Sequence, residues 1–519
     1  MLFLKEWRQR YKIFHNLYYI CIKNKVMLDI SYCSDMYQYT MGKSFYEEGR
    51  KDKKAIFNLF FRQAPDNNNW AVVSGIQEAI KMIKAVGNKP EDYFEQFLPS
   101  AEYKEFRKYL STMKFTGNVY CMQEGEIVFP REPVMIIEAP IIEAQILETP
   151  LLCIMNHQMA VATKASRVSR STDKPISEFG SRRAHGPWAA MHGGKAAFIG
   201  GCVSSSNILS HINFGVPCSG TMAHSYITSF GSTIEGEYNA FNSYINTHTK
   251  EPIILLIDTY DTLHCGLRNA IEAFKNNNID NDYPYGYGIR LDSGDLAYLS
   301  NECRKVLDKA GYTKCQIIAT NSLDEYLIPS LERQGCSIDA YGVGDAIATS
   351  KHNPCFGNVY KLVQIDDQPV LKRSEDKVKL INPGFQITYR IIRDDSFKGD
   401  ITCLRGDKTT EKIENNDTFI LRDEFDSTKT TKFKKGTYSS RPLQIQMIKD
   451  GEIIAEEKSI NKKRDFYINN LNHFNATEKR LINPHYYKVD ISDELYERKY
   501  SLINNLVKEI KKLEEAEED

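Results

Sequence analysis

The run IRLDSGDL sets a guanidinium, Arg290, and two carboxylates, Asp292 and Asp295, around a Ser-Gly turn. A planar guanidinium in that place can grip a carboxylate or a phosphate. Two carboxylates beside it can hold Mg²⁺ against a diphosphate, although Asp295 can equally serve as the acid of a helix first turn. YGVGD (341–345) offers bare glycine amides to a phosphate, or simply makes a tight turn. FGSRRAHGP brings Phe179, Arg182, Arg183 and His185 together in a Gly/Ser-rich turn, a composition suited to anions. GTMAHSYITSF places His224 between a Gly-Thr turn and an apolar helical run, where local spacing alone also allows a packed core histidine. GxxxxGK[ST] is missing, and YGVGD lacks the third glycine of GxGxxG, so neither a P-loop nor a dinucleotide fingerprint is supported. Spacing alone points to an enzyme that handles anions.

Four short apolar runs must position these groups: PIILLID (252–258), YGIRLD (287–292), KCQIIAT (314–320) and IDAYGVG (338–344). Helical spacing follows the second, with Leu296, Leu299, Cys303, Val306 and Leu307 on one face. LDEYLIPSLERQG follows the third and ends on a glycine suited to closing a helix. Strands alternating with helices predict parallel βα units, in a barrel or a doubly wound sheet. Asp258 and Asp261, Arg290 and Asp292, Asn321 and Ser322, and Gly342 and Gly344 all fall at or just past strand ends, which in a βα barrel open onto the substrate face.

The wider chain agrees with a folded enzyme. Its 67 Lys+Arg and 68 Asp+Glu leave a net charge of −1, which excludes a strongly basic nucleic-acid coat. A hydrophobic share of 42% with 11% aromatics excludes a disordered chain. The 12 cysteines form no CxxC pair and no HExxH occurs, so structural zinc finds no motif, and scattered thiols fit a reduced cytoplasmic location. No run of 18 apolar residues suggests a membrane span. Texture divides the chain into an N-terminal extension (1–27), an α+β region (28–150), the βα region (151–365) and a C-terminal α+β region (366–519) that ends in a charged, solvated helix. The extension reads as an appended amphipathic helix or as a reading frame whose natural start is Met27.

Taken in order, the motifs resemble the nicotinate phosphoribosyltransferase family. The resemblance runs through SDMYQYTM (34–41), FNLFFRQAP (57–65), GEIVFPREPVMIIEAPIIEAQILETPLL (125–152), ATKASR (162–167), EFGSRRAHGP (178–187) and GGCVSSSNIL (200–209). It continues through GTMAHSYITSF (220–230), IDTYDT (257–262), GIRLDSGDLAYLS (288–300), NSLDE (321–325), YGVGD and NVYKLV (358–363). The resemblance implies an α/β fold: the irregular α/β barrel of the type II phosphoribosyltransferases, with an α+β domain built from the N- and C-terminal regions. It implies ATP-coupled transfer of phosphoribosyl from phosphoribosyl pyrophosphate (PRPP) to nicotinate in NAD salvage. Mg²⁺ is the implied cofactor, ATP a co-substrate, and a homodimer with shared active sites the implied assembly. Neither nucleic acid nor membrane is an implied partner.

Residue by residue, the resemblance makes His224 the histidine that ATP phosphorylates and makes Arg290 and Asp292 catalytic. Tyr37 is the ring reaching in from a partner subunit, and Phe179 the opposite face of a pyridine sandwich. Arg182, Thr221, Ser205, Ser206, Ser225 and Asn321 belong to the substrate shell, Gly344 and Asp345 to the 5′-phosphate, and Lys164 and Lys361 to phosphate contacts. Asp292 with Asp295 is the implied metal pair. Serines at 204–206, where the nicotinamide-using relative has an aspartate, favour the acid over the amide. Trp188, Asp345 and, more mildly, Ser322 depart from the family pattern; Trp188 and Asp345 keep a non-catalytic ligand-binding member as the alternative, beside a nicotinamide enzyme.

Overall fold

The computed structural model describes residues 33–87, 89–373, 379–426 and 428–518. The expected N-terminal extension, 1–27, lies outside them. Six short strands form the parallel sheet that the apolar runs predict: β1 (Ile176–Glu178), β2 (Ser204–Ser205), β3 (Ile253–Leu256), β4 (Tyr287–Leu291), β5 (Gln316–Ala319) and β6 (Ala340–Val343). They lie in the order β2-β1-β6-β5-β4-β3, an open and irregular barrel wall whose two end strands do not pair with each other. β3 to β6 are mostly apolar and largely buried, as strands covered on both faces must be. β1 and β2 are too short and polar to read from the sequence, yet they carry the sheet past β6 through the pairs Val343 with Glu178 and Glu178 with Ser205.

Helices cover the sheet where the 3.6-residue spacing puts them. The helix Leu296–Lys309 starts at Asp295, whose carboxylate accepts from the Tyr298 N–H at 3.0 Å. It buries Leu296, Ala297, Ser300, Cys303 and Leu307. Leu327–Arg333 ends before Gly335, whose φ of +71° supplies the left-handed turn expected there.

A second sheet draws on both chain ends. A seven-stranded antiparallel sheet runs Gln368–Pro369, Asn358–Ile365, Lys54–Phe61, Met135–Pro140, Asn118–Cys121, Ile445–Lys449 and Glu452–Ile453. Asn358–Ile365, read from sequence as the close of the βα region, thus pairs with Lys54–Phe61, and the Phe57 and Tyr360 rings stack at 4.6 Å. A six-stranded sheet between Gln386 and Ile491 completes the architecture, and the charged helix Asp493–Glu518 follows it.

Buried ion clusters join these parts. Arg390 forks onto Asp400 and reaches Glu126 at 2.6 Å, welding the C-terminal sheet to the N-terminal region. Lys195 sits between Glu78 and Glu124, and Lys463 reaches Glu124 from the C-terminal side. Groups so deeply buried are tolerable only because each charge is paired.

Candidate active site

The strand ends of the parallel sheet surround a cavity of about 610 Å³. Phe179 follows β1 and Ser206 follows β2, Arg290 lies in β4 with Asp292 just beyond it, and Thr320, Asn321 and Ser322 follow β5. Gly342, Gly344 and Asp345 come from the end of β6, while Thr221 and His224 descend from the loop before the short helix His224–Thr228. Parallel register places Leu256 opposite Arg290 and Leu291 opposite Ala319, so residues one or two past each strand reach the same level.

One hydrogen-bonded chain organises the floor. His224 Nε2 lies 3.2 Å from Asp258 Oδ1; the imidazole is 41% exposed and the Asp258 side chain 1%. The other oxygen, Oδ2, accepts from the Asp292 N–H at 3.0 Å and from the Ser293 hydroxyl at 2.6 Å. A carboxylate held on both oxygens has one orientation to offer the imidazole. The Thr320 hydroxyl donates to Asp292 Oδ1, and Arg290 Nη1 donates to the Thr221 hydroxyl. Burial pulls the Arg290 guanidinium downward, against the raising influence of Asp292 and Asp258. Its Nε is buried without a partner, so the fork has donor capacity to spare. Arg182 and Arg183 add two exposed cations at the mouth.

The Phe179 ring rests on the backbone of Gly342, where an added Cβ would come within 2.5 Å of it. Below, Glu178 turns away from the cavity: Oε2 accepts from the Ser205 hydroxyl at 2.6 Å and Oε1 from the Gly180 N–H. Burial pushes the Glu178 carboxyl up. Asn321 and Ser322 both have positive φ, +81° and +53°, a strained pair set at the cavity edge.

The cavity brings together ten of the expected site residues: Phe179, Arg182, Ser206, Thr221, His224, Arg290, Asp292, Asn321, Gly344 and Asp345. Three expectations are corrected. Lys164 is fully buried between Asp66 and Glu325, at 2.5 and 2.8 Å, so its charge is already neutralised and out of reach of a phosphate. Ser205 is fully buried and spends its hydroxyl on Glu178. Asp295 caps its helix rather than facing Asp292 across a metal, and among the described residues no group of three His, Cys, Asp or Glu side chains could hold an ion. Ser225 is exposed on the helix that His224 opens, outside the lining. Tyr37 and Lys361 lie outside this chain's cavity, both beside Glu148: the Tyr37 hydroxyl hydrogen-bonds to it and Lys361 Nζ stands 3.9 Å away. Trp188 stacks on His192 at 4.0 Å between centroids, a packing role. Asp345 points a carboxylate oxygen at Lys351, 4.0 Å off.

Sequence reading missed Glu178 and Thr320 as site residues, left Asp258 without a role, and did not foresee Gly342 as the seat of the Phe179 ring. For Asp258 and Thr320 the available signal was position at a strand end. For Glu178 it is visible only once β1 and β6 are paired.

Comparison with known proteins finds relatives over nearly the whole chain. Residues 33–156 match the model of the nicotinate phosphoribosyltransferase (NAPRTase) N-terminal domain, and 385–499 that of the C-terminal domain. A nicotinate phosphoribosyltransferase of Bacillus subtilis (strain 168) is 37% identical over 501 residues, 94% of this chain and 98% of that protein. One from Dictyostelium discoideum is 30% identical, covering 90% of this chain and 87% of its own. The crystal structure of human nicotinic acid phosphoribosyltransferase superposes with a TM-score of 0.78 at 25% identity, over 91% of this chain and 100% of that one.

Proposed function

This chain belongs to the nicotinate phosphoribosyltransferase family, and from that membership we propose that its cavity transfers phosphoribosyl from PRPP to nicotinate in NAD salvage, coupled to ATP through His224. The observation that carries the reading is the convergence of His224 on Asp258, Arg290 on Thr221, and the Arg182–Arg183 pair upon one cavity.

The chemistry follows from those groups. The nicotinate ring nitrogen has a free lone pair, so it needs no general base to attack the ribose carbon as pyrophosphate departs from the opposite face. Phe179, seated on Gly342, gives the pyridine ring a platform, and cationic Arg182 and Arg290 favour a carboxylate substrate. Serine at 206, with the Glu178 carboxylate turned away beneath, leaves no anion facing that carboxylate from this loop. Gly344 and Asp345 line the end where the 5′-phosphate would sit. Mg²⁺ fits beside Asp292, because it is commonly held by one or two carboxylates and the substrate's own phosphates. Bound there, it would neutralise charge on the departing diphosphate. Positioning and electrostatics supply most of the rate.

In the ATP half-reaction, Asp258 accepts a hydrogen bond from one imidazole N–H and leaves the other nitrogen with its lone pair. That nitrogen takes the γ-phosphoryl and ADP leaves; water later frees the phosphate. Tyr37 and Lys361, gathered at Glu148 outside this chain's cavity, would complete the site of a second copy in the homodimer that family membership suggests. We place the enzyme in the cytoplasm; among the described residues no helix is long and apolar enough to cross a membrane.

The test is a coupled assay of purified protein with PRPP, Mg²⁺ and either nicotinate or nicotinamide, with and without ATP, measuring mononucleotide and ADP. Nicotinate-dependent product that rises with ATP is expected. Product from nicotinamide alone, or from neither base, would overturn the reading.

A further inference from the structure

Apart from the cavity, the described residues hold one close pair of accessible thiols. Cys33 and Cys153 stand 120 residues apart in the chain, yet their sulfurs approach to 3.7 Å, and both side chains are exposed. Seven of the other described cysteines are spread through the interior or partly covered: Cys121, Cys202, Cys265, Cys303, Cys315 and Cys403 are buried and Cys336 is intermediate. The pair forms where the stretch before the helix α1 (Met36–Glu47) lies along the first turns of the helix α2 (Glu148–Ser169). That contact is fixed independently of sulfur: the Thr149 hydroxyl donates to Asp35 Oδ2 at 2.7 Å, and the Tyr37 hydroxyl pairs with Glu148. A disulfide bond of about 2 Å lies a short closing movement from the 3.7 Å contact.

We propose that Cys33 and Cys153 are a redox modification site, oxidised by a hydroperoxide to a disulfide that fastens the Tyr37 segment to α2. The reaction balances in two steps. The Cys33 sulfur attacks the peroxide O–O bond, becoming a sulfenic acid as the peroxide is reduced to an alcohol, or to water for hydrogen peroxide. The Cys153 sulfur then displaces that oxygen, the S–S bond forms, and the oxygen leaves as water with the Cys153 proton. Partial desolvation on α2 and the neighbouring Cys33 push the Cys153 thiol up to about 11, which suits it to the second, resolving step rather than to first attack on peroxide. Two exposed cysteines in a reducing compartment fit a transient, regulatory bond.

Full-length protein treated with hydrogen peroxide, alkylated and digested without reductant should yield one dominant cross-linked peptide pair, Cys33 with Cys153, lost on treatment with dithiothreitol. The Cys153→Ser variant should lose the cross-link while keeping the activity of the reduced protein. Hydrogen exchange over residues 34–40 should slow about tenfold on oxidation in the unmodified protein and stay unchanged in the variant. These readouts are independent of catalysis, so they stand or fall apart from the proposed reaction. Linkage of Cys33 to any other cysteine, persistence of both thiols while buried cysteines react, or unchanged exchange in the cross-linked protein would overturn the proposal.

Discussion

At the scale of single residues, the account turns on Asp258. Its carboxylate ties three cavity elements together, because one oxygen faces His224 and the other holds the Asp292 amide and the Ser293 hydroxyl. Asp258→Asn keeps the shape but offers an amide where a charge should orient the imidazole. The ATP-stimulated rate is expected to fall about a hundredfold or more with nicotinate KM little changed, measured by steady-state kinetics. Gly342→Ala makes the opposite kind of change. A methyl 2.5 Å from the Phe179 ring must displace it, so kcat/KM for nicotinate should drop about tenfold to a hundredfold while KM for ATP holds. His224, Arg290 and Phe179 could be picked out in the sequence because each sits in a run with chemical character of its own. Lys164 could not be told from a phosphate ligand, since what neutralises it is Asp66 and Glu325, distant in sequence.

At the scale of elements, helix packing carries a titration that the cavity does not. His157 on α2 is partly covered, its Nε2 3.1 Å from the Ala189 carbonyl, and desolvation holds it down to about 4 from an ordinary 6.5. Its folded-state pKa is depressed, so at pH above 6.5 both states are neutral and nothing is lost. As pH falls from about 6.5 towards 4 the unfolded chain takes up a proton that the folded one refuses, and stability drops by about 3 kcal/mol. Glu124, held at about 2 by Lys195 and Lys463 despite its burial, loses its contribution in a lower window, from about 4.5 downwards. Denaturant titrations at stepped pH should show both slopes, and His157→Gln should flatten only the upper one. The four strands β3 to β6 were legible because buried parallel strands announce themselves as apolar runs. β1 (ISE) and β2 (SS) have no such run; β1 exists because β6 offers an edge to pair with, and β2 because β1 offers the next.

At the scale of the whole molecule, the two chain ends are one structure. Lys54–Phe61 pairs with Asn358–Ile365, and Arg390 reaches Glu126 across 264 residues, pairings that no local pattern encodes. Arg390→Met would leave Glu126, Asp400 and Tyr487 facing a missing charge, and should cost about 3–5 kcal/mol of stability by denaturant unfolding. The proposed homodimer makes a sharper prediction. Tyr37→Ala and His224→Ala proteins, each nearly inactive, should regain about a quarter of normal activity when unfolded, mixed and refolded together, because half of the dimers then hold one intact composite site. Simple additivity of the two residual activities would show that Tyr37 serves its own chain.

The claim on which all of this rests is that ATP acts through a phosphoryl group carried by His224. The direct measurement is peptide mapping by mass spectrometry, under alkaline conditions that preserve phosphohistidine, after the protein meets ATP and Mg²⁺ with PRPP but without nicotinate. The account predicts one phosphoryl group on the peptide containing His224, sharply reduced in Asp258→Asn and discharged when nicotinate is added. ATP-stimulated transfer with that peptide unmodified throughout would contradict it.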